Sequence, residues 1–214
     1  MDEEITIIDS NARNERIKNF FIYNKKKLIS IVSIILVIVI GYLSFEKFKE
    51  RTKIKLANKY NLALIDLNPD NKQKTIDEMV NVVKSNDATY SPLALYHLLD
   101  NNLLENNEEI NILFNELIEK TKLNNEIKNL IIYKKALFNS DLVSENELLK
   151  ILNPVVNSES IWKSHALYLL AEFFYSKEEK QKAKEIFNQI LVLPNASSTI
   201  KNESQKRLNR DLGE

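Results

Sequence analysis

The stretch at residues 28–45, LISIVSIILVIVIGYLSF, opens at Leu28, closes at Phe45 and carries no charged side chain. Its eighteen residues, at about 1.5 Å each, make a helix of roughly 27 Å, close to the hydrocarbon thickness of a thin bilayer. Thirteen of them are Leu, Ile, Val or Phe. At roughly 0.3 to 0.6 kcal/mol each, these favour insertion by about 4 to 8 kcal/mol, and three serines with Gly41 take back only part of that. Lys25, Lys26 and Lys27 fence one end, and Lys47, Lys49 and Arg51 the other. Such a segment is hidden in lipid, removed as a signal, or buried in a core.

A cleaved signal has a short basic leader, an apolar run of about 7 to 15 residues and small residues at its cleavage site. Here 27 residues precede the run, the run is longer, and Tyr42 and Leu43 are bulky where small residues are needed. A buried soluble helix normally keeps a polar face, and this one is apolar all round. The residues point to a permanent anchor.

Only two glycines occur, Gly41 and Gly213. A phosphate-cradling Walker loop, a dinucleotide fingerprint and a nucleophile elbow all need glycines where the backbone turns tightly, so these functions are excluded. Hairpins built on Asn-Gly or Asp-Gly are missing too, which points to a domain that is nearly all helix. The absence of cysteine excludes disulfides and thiolate chemistry. Thirty basic side chains balance thirty acidic ones, which argues against a nucleic-acid partner. About 165 residues follow Phe45, enough for one well-formed core.

Residues 1–27 form a polar leader headed by Asp2, Glu3 and Glu4. Ile17, Phe20, Phe21 and Tyr23 allow part of it to lie at a membrane interface, and a disordered leader is the alternative. Six Lys and Arg precede the span and six lie between Glu46 and Leu62, so charge alone does not settle orientation, although the lysine triplet leans toward an N-terminus inside. Residues 46–90 read as a membrane-proximal helical stalk and first hairpin. The apolar pattern at Ile54, Leu56, Tyr60, Leu64 and Leu67 continues the membrane helix until Asn68-Pro69-Asp70 stops it. Thr75 with Glu78 has capping-box spacing and predicts the start of the next helix. Ser91-Pro92 reads as an N-cap and first turn, Asn124-Asn125 as a helix close, Ser144 with Glu147 as a second capping box, and Asn153-Pro154 as a helix end.

The region 91–214 reads as helical hairpins with a tetratricopeptide-like period. That pattern asks for bulky, Leu, small and aromatic residues on one helix and Ala, Phe and a closing Pro on the next. Leu167, Leu170, Ala171, Phe174, Ala183, Phe187 and Pro194 occupy those places, with the proline one residue early. Earlier hairpins are degenerate, with Leu98 where a small residue belongs and Asn101 in an aromatic place. The last segment is a capping helix with Lys206, Arg207 and Arg210 outward. The expected fold is all-α: a single N-terminal transmembrane helix followed by an antiparallel α-helical tetratricopeptide-like repeat array.

With its polar leader, single span, degenerate helical region and good C-terminal repeat unit, the chain resembles the YfgM-like ancillary subunits of the bacterial SecYEG translocon, whose repeat domain is shared with cell-division coordinator proteins. The resemblance rests on architecture and on Leu167 to Pro194. It implies a bacterial inner-membrane protein, N-terminus cytoplasmic and repeat domain periplasmic, contacting translocon subunits and periplasmic chaperones.

His165, Tyr168, Glu172 and Tyr175 fall on one helical stripe, the face that lines the concave groove of such an array and binds peptides or partner helices. The other reading is that the tyrosines pack on the preceding repeat. Trp162 reads as a packing residue between Pro154 and the last repeat. His97 and His165 lack the His-Glu-x-x-His arrangement of zinc peptidases, and the carboxylates lie among lysines as solvated surface, so no catalytic residue, metal or cofactor is expected. Asn195 and Asn202 match glycosylation acceptors, relevant only in a eukaryotic secretory setting. The expected function is non-enzymatic binding of protein partners near a secretion channel, with no small-molecule substrate. The alternative is a self-associating scaffold in cell-envelope or cell-division assembly.

Overall fold

A computed structural model describes the backbone of residues 2–213, and the side chains of residues 13–213 apart from Pro69. The described residues form nine α-helices and no strand. They are α1 (Asp2–Ile65), α2 (Lys72–Val83), α3 (Tyr90–Asp100), α4 (Asn107–Lys120), α5 (Asn125–Asn139), α6 (Glu145–Val156), α7 (Lys163–Ser176), α8 (Lys180–Val192) and α9 (Ser198–Asp211). The chain divides into two units, Met1–Lys55 and Leu56–Glu214.

The first unit is helical throughout its described backbone, so its leader is helix from Asp2 onward and not a disordered arm. The side chains of Asp2, Glu3 and Glu4 lie outside the described residues. Every residue from Ile29 to Phe45 is exposed, and α1 is long and apolar enough to cross a membrane. Nothing within the unit covers those side chains, which removes the core-helix reading.

In the second unit, consecutive helices from α4 to α9 pack on one another, as α2 and α3 do, and α2 also meets α4. Met79, Val82, Leu95, Leu98, Leu113, Phe114, Leu117 and Ile131 form one fully enclosed core. Leu148, Leu152, Ala166, Ala171, Ala183, Phe187 and Ile190 form the second. The helices α2, α4, α6 and α8 begin at Lys72, Asn107, Glu145 and Lys180, in steps of 35, 38 and 35 residues. The set α3, α5, α7 and α9, starting at Tyr90, Asn125, Lys163 and Ser198, repeats the same steps. Each of the first four buries residues at one common spacing: Thr75, Met79 and Val82; Ile110, Phe114 and Leu117; Leu148, Leu152 and Val155; Ala183, Phe187 and Ile190.

Several expected boundaries shift, each for a local reason. Asn68 accepts from the backbone N–H groups of Asp70 and Asn71, both at 3.1 Å, and the resulting 3-10 turn feeds α2 at Lys72. Thr75 is therefore a buried mid-helix residue and not a cap. Asp87 takes the capping role expected of Ser91, accepting from Thr89 and Tyr90 N–H at 2.8 Å. Ser91 is buried and donates to the Val82 carbonyl at 2.8 Å, tying α3 to the end of α2. Asn124 opens α5 by accepting from Ile127 N–H at 2.8 Å, whereas α4 has ended at Lys120. Pro154 lies inside α6, which runs on to Val156. The Lys150 carbonyl, which loses its helical donor to the proline, belongs to an exposed residue. The Ser144 and Glu147 capping box forms with both of its hydrogen bonds.

A chain almost without glycine must turn its helix ends with other residues. Asn86 (φ 56°) and Asn102 (φ 49°) follow α2 and α3 in the left-handed region, which asparagine tolerates best after glycine. Glu178 (φ 62°), between α7 and α8, has no such tolerance. Its side chain is exposed, and among the described residues its one ion pair is a 3.7 Å contact with exposed Lys180. Glu178→Gly is expected to stabilise the protein by about 1 kcal/mol, seen as a higher urea midpoint at unchanged m-value for the full chain in detergent. A lower midpoint would show that the turn is held by side-chain contacts and not strained.

Candidate functional site

The stripe on α7 arises from spacing alone. His165, Tyr168, Glu172 and Tyr175 recur at intervals of three and four residues, while Ala166, Leu167, Leu170, Ala171 and Phe174 on the adjoining arc fill the core. All four stripe residues are half-buried. The structure places them in two neighbourhoods along the helix.

His165 belongs to an aromatic cluster with Trp162, centroid to centroid 5.1 Å, and Tyr133 of α5 at 5.9 Å. Trp162 and Tyr133 stack at 6.1 Å with their planes 17° apart. The aromatic partners of Trp162 are thus on α5 and α7, and the ring packs against the second core. Ser160 sets the approach of this ring. It is buried, and its hydroxyl donates to Glu126 at 2.7 Å and accepts from the Trp162 backbone N–H at 3.1 Å. Burial holds the His165 imidazole below its ordinary pKa, against a smaller opposing pull from the Ile161 carbonyl, and its Nδ1 is enclosed with no partner among the described residues.

Tyr168, Glu172 and Tyr175, further along the same face, meet α8 and α9. Tyr168 sets its ring edge-on to Phe187 at 5.5 Å, and burial, reinforced by the Glu172 charge, pushes its hydroxyl up to about 12. Glu172 is gripped by both arms of Arg207, the Nε contact being 2.6 Å and the second going from Nη2 to Oε2. The same guanidinium donates to Asp211 at 2.6 Å and lies 4.7 Å from the Tyr175 ring centroid. Arg207 therefore points inward, contrary to the outward placement expected from the sequence, because a bidentate carboxylate and an aromatic face offer more than water does. Lys206 and Arg210 are exposed as expected. Glu172 first, then Asp211, holds the guanidinium more firmly protonated, and Arg210 with Arg207 keeps the Asp211 carboxyl well below the usual range.

Tyr133, Ser160 and Arg207 were not legible as site residues. The one available signal was separation: Ser160 meets Glu126 across 34 residues and Arg207 meets Glu172 across 35. The second histidine, His97, lies on α3 and contacts Asn101 at 3.2 Å. Among the described residues no group of three or more His, Asp or Glu side chains is placed to hold a metal ion. No protein-family model, no curated protein and no solved structure matches the chain.

Two outcomes follow from these neighbourhoods. A lowered folded pKa means that the neutral imidazole is favoured, so stability is complete above the unfolded value of about 6.5 and is lost as pH falls through the folded one. Trp162, the sole tryptophan, reports this, because a charged imidazole quenches indole emission. Fluorescence should be flat from about pH 8 to 6.5 and drop below that, and His165→Gln should abolish the drop. A drop that survives in the variant would assign the titration elsewhere. Removing the clasp by Arg207→Ala should cost about 1.5 kcal/mol and speed amide exchange in α9 about tenfold, with α4 unaffected. Unchanged exchange would mean that apolar contacts alone hold α9.

Proposed function

We propose that this protein is a membrane-anchored helical interaction module, in which α1 tethers a tetratricopeptide-like array that binds protein partners. The observation that carries this reading is the pairing of one exposed apolar stretch, Ile29 to Phe45 of α1, with two interleaved sets of helices that restart in steps of 35, 38 and 35 residues. A tetratricopeptide unit has a period of 34 residues, and recurrent contacts across 34 and 35 residues support stacking at about that period. The six helical positions of the pattern, Leu167, Leu170, Ala171, Phe174, Ala183 and Phe187, are all buried where α7 packs on α8, while the closing Pro194 is exposed in the turn. Such arrays act by presenting surface and not by chemistry.

The resemblance to YfgM-like translocon subunits suggests the setting: a bacterial inner membrane, the N-terminus in the cytoplasm, the array in the periplasm, and partners among translocon subunits and chaperones. Confinement to the membrane raises the effective concentration of the array toward embedded partners without any added contact. The alternative, a self-associating envelope scaffold, shares the anchor and differs in what the array touches.

The deciding experiment places a photoreactive residue at exposed Ile161 or Lys206 of the full-length protein in living cells. Adducts with a translocon subunit or chaperone are expected. Adducts only with a second copy would favour the scaffold, and adducts only with lipid would overturn both. Added protease should digest the array in spheroplasts and leave it intact in whole cells, and the reverse would invert the proposed orientation.

A further inference from the structure

A second surface lies away from the α7 stripe, on α2. Ile76 and Val80, one turn apart on that helix, face Leu103 and Leu104 of the α3 to α4 connection across a groove of about 760 Å³. Leu103 is buried and the other three are half-buried, so the floor is apolar and partly open to water. Four carboxylates stand around it: Asp70 before α2, Asp77 on it, Glu105 in the connection and Glu109 in the first turn of α4. All four are exposed residues, and none makes an ion pair with a lysine or arginine among the described residues. The neighbouring Glu78 spends its charge on Lys59 at 3.6 Å, and Asp77 accepts only a neutral amide, Gln73 at 3.0 Å. Lys72 and Lys84 mark the two ends, twelve residues apart, or about 18 Å of helix.

We propose that this groove is a docking site for a short basic amphipathic helix of a partner protein. An apolar floor between unpaired carboxylates recognises an apolar stripe flanked by lysine or arginine, the helix-in-groove mode of peptide recognition. The length between Lys72 and Lys84 accommodates about three turns. The acids outnumber the bases on the rim by four to two, so a helix with an acidic polar face is repelled where a basic one is held. The inference is independent of the repeat reading, because it rests on the α2 and α4 surface alone.

The test uses the full chain in nanodiscs of zwitterionic lipid, with empty nanodiscs as baseline. The probes are a fluorescent stapled helix of about three turns with a leucine stripe and lysine flanks, and its twin with glutamate flanks. The lysine probe should bind at least about tenfold tighter than its twin, and more weakly as salt rises. Asp77→Lys and Glu109→Lys, both surface changes, should each weaken it about tenfold, and Val80→Glu should abolish binding. Equal binding of the two probes, or indifference to both charge reversals, would overturn the proposal. So would sedimentation showing that a second copy of the chain occupies the groove and excludes the lysine probe. Should Val80→Glu fail to fold, as judged by lost helicity, the two charge reversals still decide.

Discussion

A long apolar helix surface is costly to leave in water. From Ile29 to Phe45 every side chain of α1 is exposed, and exposed apolar surface costs roughly 25 cal/mol per Å² relative to burial. The backbone of this segment pairs within its own helix, so lipid can take the side chains without leaving any polar group unsatisfied. The remaining architecture is compatible with that solution: the second unit closes its own two cores and has no need of the segment to complete them.

What closes those cores is helix packing supplemented by polar contacts at defined points. Asn111 and Asn139 exchange a reciprocal pair of amide hydrogen bonds, at 2.9 and 2.8 Å, between α4 and α5. Asn139 is buried, and its amide also donates to the Lys135 carbonyl at 2.8 Å, so removing Asn111 leaves only its Oδ1 without a donor, at a cost of about 1 to 3 kcal/mol. Asn86 works in the same way at the end of α2, bonding Glu116 of α4 and accepting from Thr121 beyond it. An asparagine that turns a helix end where glycine is scarce thus also ties that end to the next hairpin. Contacts of this kind fix register, which apolar packing specifies only loosely.

The helices of the second unit were legible in the sequence because their apolar residues recur at helical spacing, α1 because of its long uncharged run, and the Ser144 and Glu147 box because its two bonds lie within four residues. Starts and stops failed where a competing local partner intervened. Thr75 and Ser91 look like caps in isolation, but Asn68 and Asp87 lie upstream with better-placed side chains. The stripe on α7 was correctly placed on one helix face, and its occupancy was hidden. Whether Tyr175 meets solvent or a guanidinium depends on a residue 32 positions away, and no local pattern encodes which arginine turns inward. Arg207 does so because Glu172, Asp211 and Tyr175 converge on it, a property of the fold and not of any window of sequence.

Consensus residues fade along such a chain more readily than spacing does. The common interior positions hold Ala183 and Phe187 on α8, Leu148 and Leu152 on α6, Ile110 and Phe114 on α4, and Thr75 and Met79 on α2. A small residue in one pair is offset by a bulky neighbour: Phe174 lies in the same core as Ala183, and Phe114 meets Phe138 of α5 at 6.1 Å. Interiors demand a filled volume and tolerate many ways of filling it. The step from one helix to its counterpart is constrained more tightly, because the stacked elements must keep meeting at the same height for any core to close. In the array proposed here, sequence signatures would therefore erode before the step between counterpart helices does.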